Sequence, residues 1–286
     1  MRTLLASMLI SALVLAGAGL AAERGRAGAD RAAATASADS AAAKGFDLAG
    51  IRTGATRVVD MTYTLNGRLP SWPGDDKTFE TKVVATYVKD GYFARSFWTL
   101  EHYSTHLDAP VHFAPGKATL DQIPVTHFFG PAEVIDVRDE AAKNADYRLT
   151  AARVEKWEAA HGRIPAGAIV LLRTGWASRW PDQKRYRNQD TQGAMHFPGF
   201  GADAAKLLVA RGAVGLGIDT LSIDYGASKD FEVHHVVLPA GLYNLENLAN
   251  LDQLPATGAF LIAAPIKMEG GSGGPCRVFA ILPEAR

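Results

Sequence analysis

The chain has 286 residues, 48% of them hydrophobic, which is enough for one domain with a sizeable core. Its 30 basic and 30 acidic residues cancel, so it lacks the electrostatic footprint of a nucleic-acid binder or of a protein that docks on anionic membrane. A single cysteine excludes an internal disulfide.

In chain order, residues 1–22 read as a signal peptide. Arg2 supplies a short positive region, Leu4 to Leu15 an apolar core, and Ala16-Gly17-Ala18 and Ala21-Ala22 offer small residues for cleavage. The apolar run is shorter than the roughly 20 residues a membrane span needs. The expectation is an exported protein, periplasmic or secreted, with no stable membrane span after cleavage. Residues 23–50 read as an Ala-rich leader with no apolar face to dock, expected to be flexible. Residues 51–286 are expected to form the functional domain.

The globular pattern begins near Arg57. TRVVDMTYTL reads as a strand and SWPGDDKT as a turn-rich loop. TKVVATYV and YFARSFWTL read as two further strands. AEVIDV and AIVLLRT are short, apolar and β-branched, which suits buried strands. Between them Ala151, Val154, Trp157 and Ala160 recur at helical intervals and predict a helix over residues 150–161. A second helix is predicted from Ala202 to Arg211, stopped by Gly212. AVGLGIDT, FLIAAPI and RVFAIL read as strands, and Cys276 as a small buried hydrophobe. Strands alternating with helices, plus extra hairpin-like pairs, predict a mixed α/β fold.

The densest chemistry lies in EHYSTHLDAPVHF. His102, His106, Asp108 and His112 are spaced four, two and four apart, and imidazole with carboxylate suits Zn²⁺ and Mn²⁺. Every gap is even, so on an extended strand all four side chains share a face. At about 3.3 Å per residue, however, His102 and His112 would lie roughly 33 Å apart on a straight strand. The chain must bend to gather them, and Ser104 and Ala109-Pro110 are the expected bends. Three protein ligands leave a position for water, and His112, beyond the proline, is placed to move protons. In the far half, His234 and His235 would face opposite ways on a strand, so one of the two can join the site. Glu246, in YNLENL, offers a carboxylate able to bridge two ions.

HYSTHLDAPVHF resembles the H-x-G-T-H-x-D-x-P-x-H signature of the cyclase family of metal-dependent hydrolases, the kynurenine formamidase and isatin hydrolase type. SWPGD before it, and FFGPAEVIDV, GLGIDTLSID and PIKMEGGSGGPCRVFAI after it, stand in the expected order. The resemblance implies a single domain with a mixed sheet of the swivelling β/β/α type. It implies His102, His106, Asp108, His234 and Glu246 as ligands of one or two Zn²⁺ or Mn²⁺ ions, and His112 as the proton-transfer group. It also places Trp72 at the substrate pocket, and Phe97 and Trp98 would add aromatic surface there. The implied activity is hydrolysis of an aryl formamide or a cyclic lactam, in a homodimer or tetramer. A lyase or cyclase acting through an enolate, or an exported metal-binding protein without catalysis, would carry the same residues. Ser104 stands where the family has Gly; if that position has positive φ, Ser costs about 1–2 kcal/mol.

Overall fold

A computed structural model describes residues 48–283, and a ring of seven strands forms its centre. The expected signal segment, and the leader up to residue 47, lie outside the described residues. The strands are β1 (Val58–Asp60), β2 (Phe79–Ala85), β3 (Ala94–Thr99), β4 (His106–Asp108), β5 (Phe129–Asp136) and β6 (Arg148–Leu149). They continue with β7 (Ile169–Arg173), β8 (Gly199–Phe200), β9 (Gly215–Ile218), β10 (Tyr243–Glu246), β11 (Ala259–Pro265) and β12 (Gly273–Ile281). Three helices cover the ring: α1 (Ala151–His161), α2 (Ala202–Arg211) and α3 (Glu232–Val237). The expected mixed α/β domain is therefore present.

The ring runs β12-β11-β5-β7-β9-β10-β4, and β4 closes it by pairing with both β10 and β12. Strands β5, β7, β9 and β10 are parallel, and the other pairs are antiparallel. Side-chain alternation sorts the two faces. Leu107, Val134, Leu171, Leu245, Leu261 and Val278 fill the ring interior. Ile135, Val170, Leu172, Leu216 and Ile218 turn outward onto Val154 and Trp157 of α1, Ala205 and Leu208 of α2 and Val233 of α3. Strand β7 is buried on both faces, which is why its sequence is an unbroken apolar run. Gly215 and Gly217 keep the ring narrow at β9: a Cβ at Gly215 would lie 2.5 Å from the Tyr243 ring, and one at Gly217 2.6 Å from Leu171.

The helices follow their sequence signals. Thr150 caps α1, its hydroxyl accepting the Arg153 N–H at 3.2 Å, and α2 stops at Gly212 with φ 80°. Two strands are shorter than the sequence predicts. In TRVVDMTYTL only Val58–Asp60 pairs, because the Thr62 hydroxyl takes the Val278 N–H at 2.8 Å that a longer strand would have bonded with backbone. TKVVATYV ends as a strand at Ala85, and Tyr87–Asp90 forms one helical turn closed by Gly91 at φ 75°. Cys276 is buried in the ring interior, and burial pushes its thiol pKa up. Among the described residues no helix is long and apolar enough to cross a membrane.

Candidate metal centre and active site

The closing strand carries the site. In β4, Leu107 enters the ring core, so His106 and Asp108 on either side of it face out of that core. Antiparallel register with β10 then sets Glu246 opposite His106 and Asn244 opposite Asp108. His106 Nε2 lies 3.1 Å from Asp108 Oδ1 and 3.5 Å from Glu246 Oε2. Its Nδ1 lies 2.9 Å from the Ser104 carbonyl. A carbonyl only accepts, so Nδ1–H donates to it and Nε2 is left facing the carboxylates.

His102 reaches the same carboxylate from the preceding loop. Its Nδ1 is 2.7 Å from Asp108 Oδ1 and its Nε2 2.9 Å from Ser272 Oγ, which Glu101 holds in turn. The turn that permits this is at Ser104, with φ 60° in the left-handed region. The second bend is the 3₁₀ turn Pro110–His112, which lays the His112 ring on that of His102 at a centroid distance of 3.9 Å. Both bends stand where the sequence places them. Only residues 106–108 form strand, so the shared face expected from even spacing is made by bending.

His234 arrives on α3 and not on a strand, which corrects the sequence expectation. The helix forms because the Asp224 carboxylate accepts its leading N–H groups, from Val233 at 2.9 Å and His234 at 3.2 Å. The same carboxylate accepts His234 Nδ1–H at 2.6 Å. His234 Nε2 is thereby aimed at Asp108 Oδ2 (3.3 Å) and Glu246 Oε1 (3.5 Å). His234 is buried and His235 is exposed, so the first of the pair joins the site.

Two donor sets result: His102, His106 and Asp108, and Asp108, His112 and His234, each with its donor atoms within 4.8 Å of one another. They share Asp108. Glu246 accepts the Ile223 N–H at 2.9 Å and stands against both His106 and His234. Burial, and then the charge of Asp108, push Glu246 up to about 8. Burial opposes a charge on His234, but its bonds to Asp108 and Asp224 outweigh that and raise its pKa. Burial and the neighbouring imidazoles lower His112 to about 4 against the pull of Asp108. Two buried carboxylates with anchored imidazoles fit a divalent cation, whose charge relieves their repulsion. The nitrogen and oxygen donor set suits Zn²⁺ or Mn²⁺.

Above the donors opens a cavity of about 510 Å³. Trp72, Leu100, Phe113, Leu221 and Phe231 form its apolar wall, and Trp72 and Phe231 lie 5.9 Å apart. Arg187 pins the Trp72 loop through the carbonyls of Ser71 (2.6 Å) and Trp72 (2.9 Å). Phe97 and Trp98, expected at the pocket, do not line this cavity; they stand exposed on β3, because the β2–β3 ribbon projects from the ring.

Sequence reasoning missed Asp224, Asn244, Ser272 and Arg187. Asn244 donates its amide N–H to Asp108 Oδ2 at 3.3 Å. One signal existed for Asp224: in the apolar GLGIDTLSID an acidic residue must be partnered if buried.

Residues 59–225 match the family described as "Putative cyclase". The chain is 37% identical over 249 residues to an isatin hydrolase of Roseibium aggregatum, covering 82% of this chain and 94% of that protein. It is 29% identical over 224 residues to a kynurenine formamidase of Bacillus cereus, covering 77% and 94%. Its fold is similar to the solved isatin hydrolase A of Labrenzia aggregata bound to benzyl benzoate, with a TM-score of 0.76, 37% identity and coverage of 82% and 97%. With more than half of its length matched by the family and its fold shared with a relative over most of both chains, the protein belongs to the putative cyclase family.

Proposed function

We propose that this protein hydrolyses the amide bond of a small aromatic compound, either an isatin-type cyclic lactam or an aryl formamide, using a divalent metal. The observation that carries the reading is the gathering of four imidazoles with the buried carboxylates of Asp108 and Glu246 in one aromatic-walled cavity. Isatin hydrolase and kynurenine formamidase relatives support an amide substrate.

His102, His106, Asp108, His234 and Glu246 are the residues that would hold the cation. Bound there, Zn²⁺ or Mn²⁺ would acidify water and polarise a carbonyl. The chain's own residues supply the rest. Trp72, Phe113 and Phe231 hold an aryl ring by stacking and exclude water from it. His112, kept neutral by burial, accepts a proton from the attacking water and delivers it to the leaving nitrogen. Its stacking on His102 fixes the imidazole plane beside the ligand cluster. Export through residues 1–22 belongs to the same reading and would bring the enzyme diffusible substrates.

The test is direct. Purified protein, stripped and reloaded with Zn²⁺ or Mn²⁺, is incubated with isatin and with an N-formyl arylamine while absorbance reports ring opening or deformylation. Metal-dependent consumption of at least one is expected. Metal-loaded, folded protein that consumes neither refutes the reading.

A further inference from the structure

The imidazole of His102 enters the donor cluster by the opposite ring nitrogen from its neighbours. His106 and His234 each spend Nδ1 on a buried acceptor, the Ser104 carbonyl at 2.9 Å and the Asp224 carboxylate at 2.6 Å. Both turn Nε2 toward Asp108 and Glu246. In His102 it is Nδ1 that faces Asp108 Oδ1, at 2.7 Å, and Nε2 that turns away, to Ser272 Oγ at 2.9 Å.

Ser272 is held at every polar group. Its N–H and its O–H both donate to Glu101 Oε2, the N–H at 3.0 Å. Its carbonyl accepts the N–H of Ala109, the residue after Asp108, at 2.8 Å. The next residue must be glycine for this segment to lie against the ring, since a Cβ at Gly273 would stand 2.5 Å from His102 Cε1. A carboxylate only accepts, so the Ser272 hydroxyl gives its one hydrogen to Glu101 and has only lone pairs left for His102. Donation therefore runs in one direction, from His102 Nε2–H to Ser272 and from Ser272 to Glu101. A ring that keeps its hydrogen on Nε2 presents Nδ1 as the ligating atom, and the Glu101 charge at the end of the relay makes that atom a better donor. Nδ1 then meets Asp108 Oδ1 as a second electron-rich atom, a contact that a cation relieves.

We propose, on the metal-binding reading of this cluster, that Glu101 and Ser272 are positioning residues for the cation: their relay holds the His102 hydrogen on Nε2 and commits Nδ1 to the metal. Glu101 precedes His102 in the chain, whereas Ser272 lies 170 positions beyond it, next to β12. The relay is complete only when the ring of strands has closed.

Zn²⁺ affinity of the stripped full chain, measured by competition with a chromophoric chelator, is compared between wild type, Ser272→Ala and Glu101→Ala. Each variant is expected to bind at least tenfold more weakly, as when the outer partner of a ligating imidazole is lost. Long-range proton–nitrogen magnetic resonance spectra of stripped protein carrying isotope-labelled histidine read the tautomer, with His102 assigned from His102→Gln. The wild type is expected to hold the His102 hydrogen on Nε2, and Ser272→Ala to spread it over both nitrogens. A purely structural contact would lower the melting temperature of the stripped protein and leave both readouts unchanged. A fall of less than tenfold in either folded variant, or a wild-type His102 with its hydrogen on Nδ1, overturns the proposal. If neither variant folds, the wild-type spectrum alone decides. A wild type that binds no Zn²⁺ refutes the metal reading itself, and the relay's role with it.

Discussion

Replacing Asp224 with Asn tests how the site is held. The carboxylate is 2% exposed and accepts three bonds: Val233 N–H at 2.9 Å, His234 N–H at 3.2 Å and His234 Nδ1–H at 2.6 Å. An amide of the same shape has one accepting oxygen. If that oxygen serves the imidazole, the NH₂ group faces the Val233 N–H, donor against donor. If it serves the helix at Val233, the NH₂ group faces the His234 N–H and Nδ1–H, again donor against donor. Either way a buried, charge-assisted bond worth about 1.5–3 kcal/mol is lost without water to replace it. The partner of a ligating imidazole typically contributes 10–100-fold to metal affinity, about 1.4–2.7 kcal/mol. Calorimetric titration of Zn²⁺ or Mn²⁺ into stripped protein measures that part, and unfolding without metal measures the cost to α3. Asp224→Asn is expected to bind metal at least tenfold more weakly. An affinity within twofold of the wild type would mean that His234 does not ligate, or that Asp224 does not aim it.

Three further outcomes follow from the same geometry. His112→Ala is expected to keep bound metal, read by elemental analysis, while turnover falls roughly 10²–10⁴-fold; a fall in both would make His112 a ligand instead. Glu133 on β5 is 6% exposed, its Oε2 has no hydrogen-bond partner among the described residues, and burial pushes its carboxyl up to about 7. A folded pKa above the unfolded 4.5 contributes stability that is complete below pH 4.5 and is lost as pH rises to 7, so Glu133→Gln is expected to flatten that decline and gain about 2 kcal/mol at pH 8 in denaturant unfolding. A wild-type-like pH profile in that variant would place the charge elsewhere. Ser104→Gly removes a left-handed non-glycine residue and a buried hydroxyl with no partner among the described residues, and is expected to raise the melting temperature by roughly 1–4 °C; a lower one would refute the strain.

What the sequence disclosed divides along local and distant causes. Helix α2 ends at Gly212 and α1 starts on Thr150, because those signals act within one turn. The imidazoles and carboxylate at positions 102–112 were readable as a group because their spacing is local. The strand geometry considered for His234 and His235 does not apply, because a six-residue helix is started there by a carboxylate from Asp224, ten positions before His234. Asn244 and Ser272 escaped notice for the same reason, since each meets the cluster across more than a hundred residues. Phe97 and Trp98 read as pocket aromatics by residue type alone, and residue type does not show that the ribbon carries them away from the site.

Fold closure and site assembly are one event in this architecture. Strand β4 has three residues, too few to announce a strand, and it joins the two ends of the sheet. Its register is held by Leu107, the residue that enters the ring core between the two site residues. A slip of one position would put His106 or Asp108 into that core and Leu107 among the carboxylates, an exchange no apolar interior tolerates. The same pairing that seals the ring therefore sets Glu246 against His106 and Asn244 against Asp108. Before closure the carboxylates of Asp108 and Glu246 are apart and hydrated; after it they face one another out of water, and that opposition is what a divalent cation relieves. Metal binding and ring closure are thus expected to stabilise each other, the cation acting on the shortest strand of the sheet.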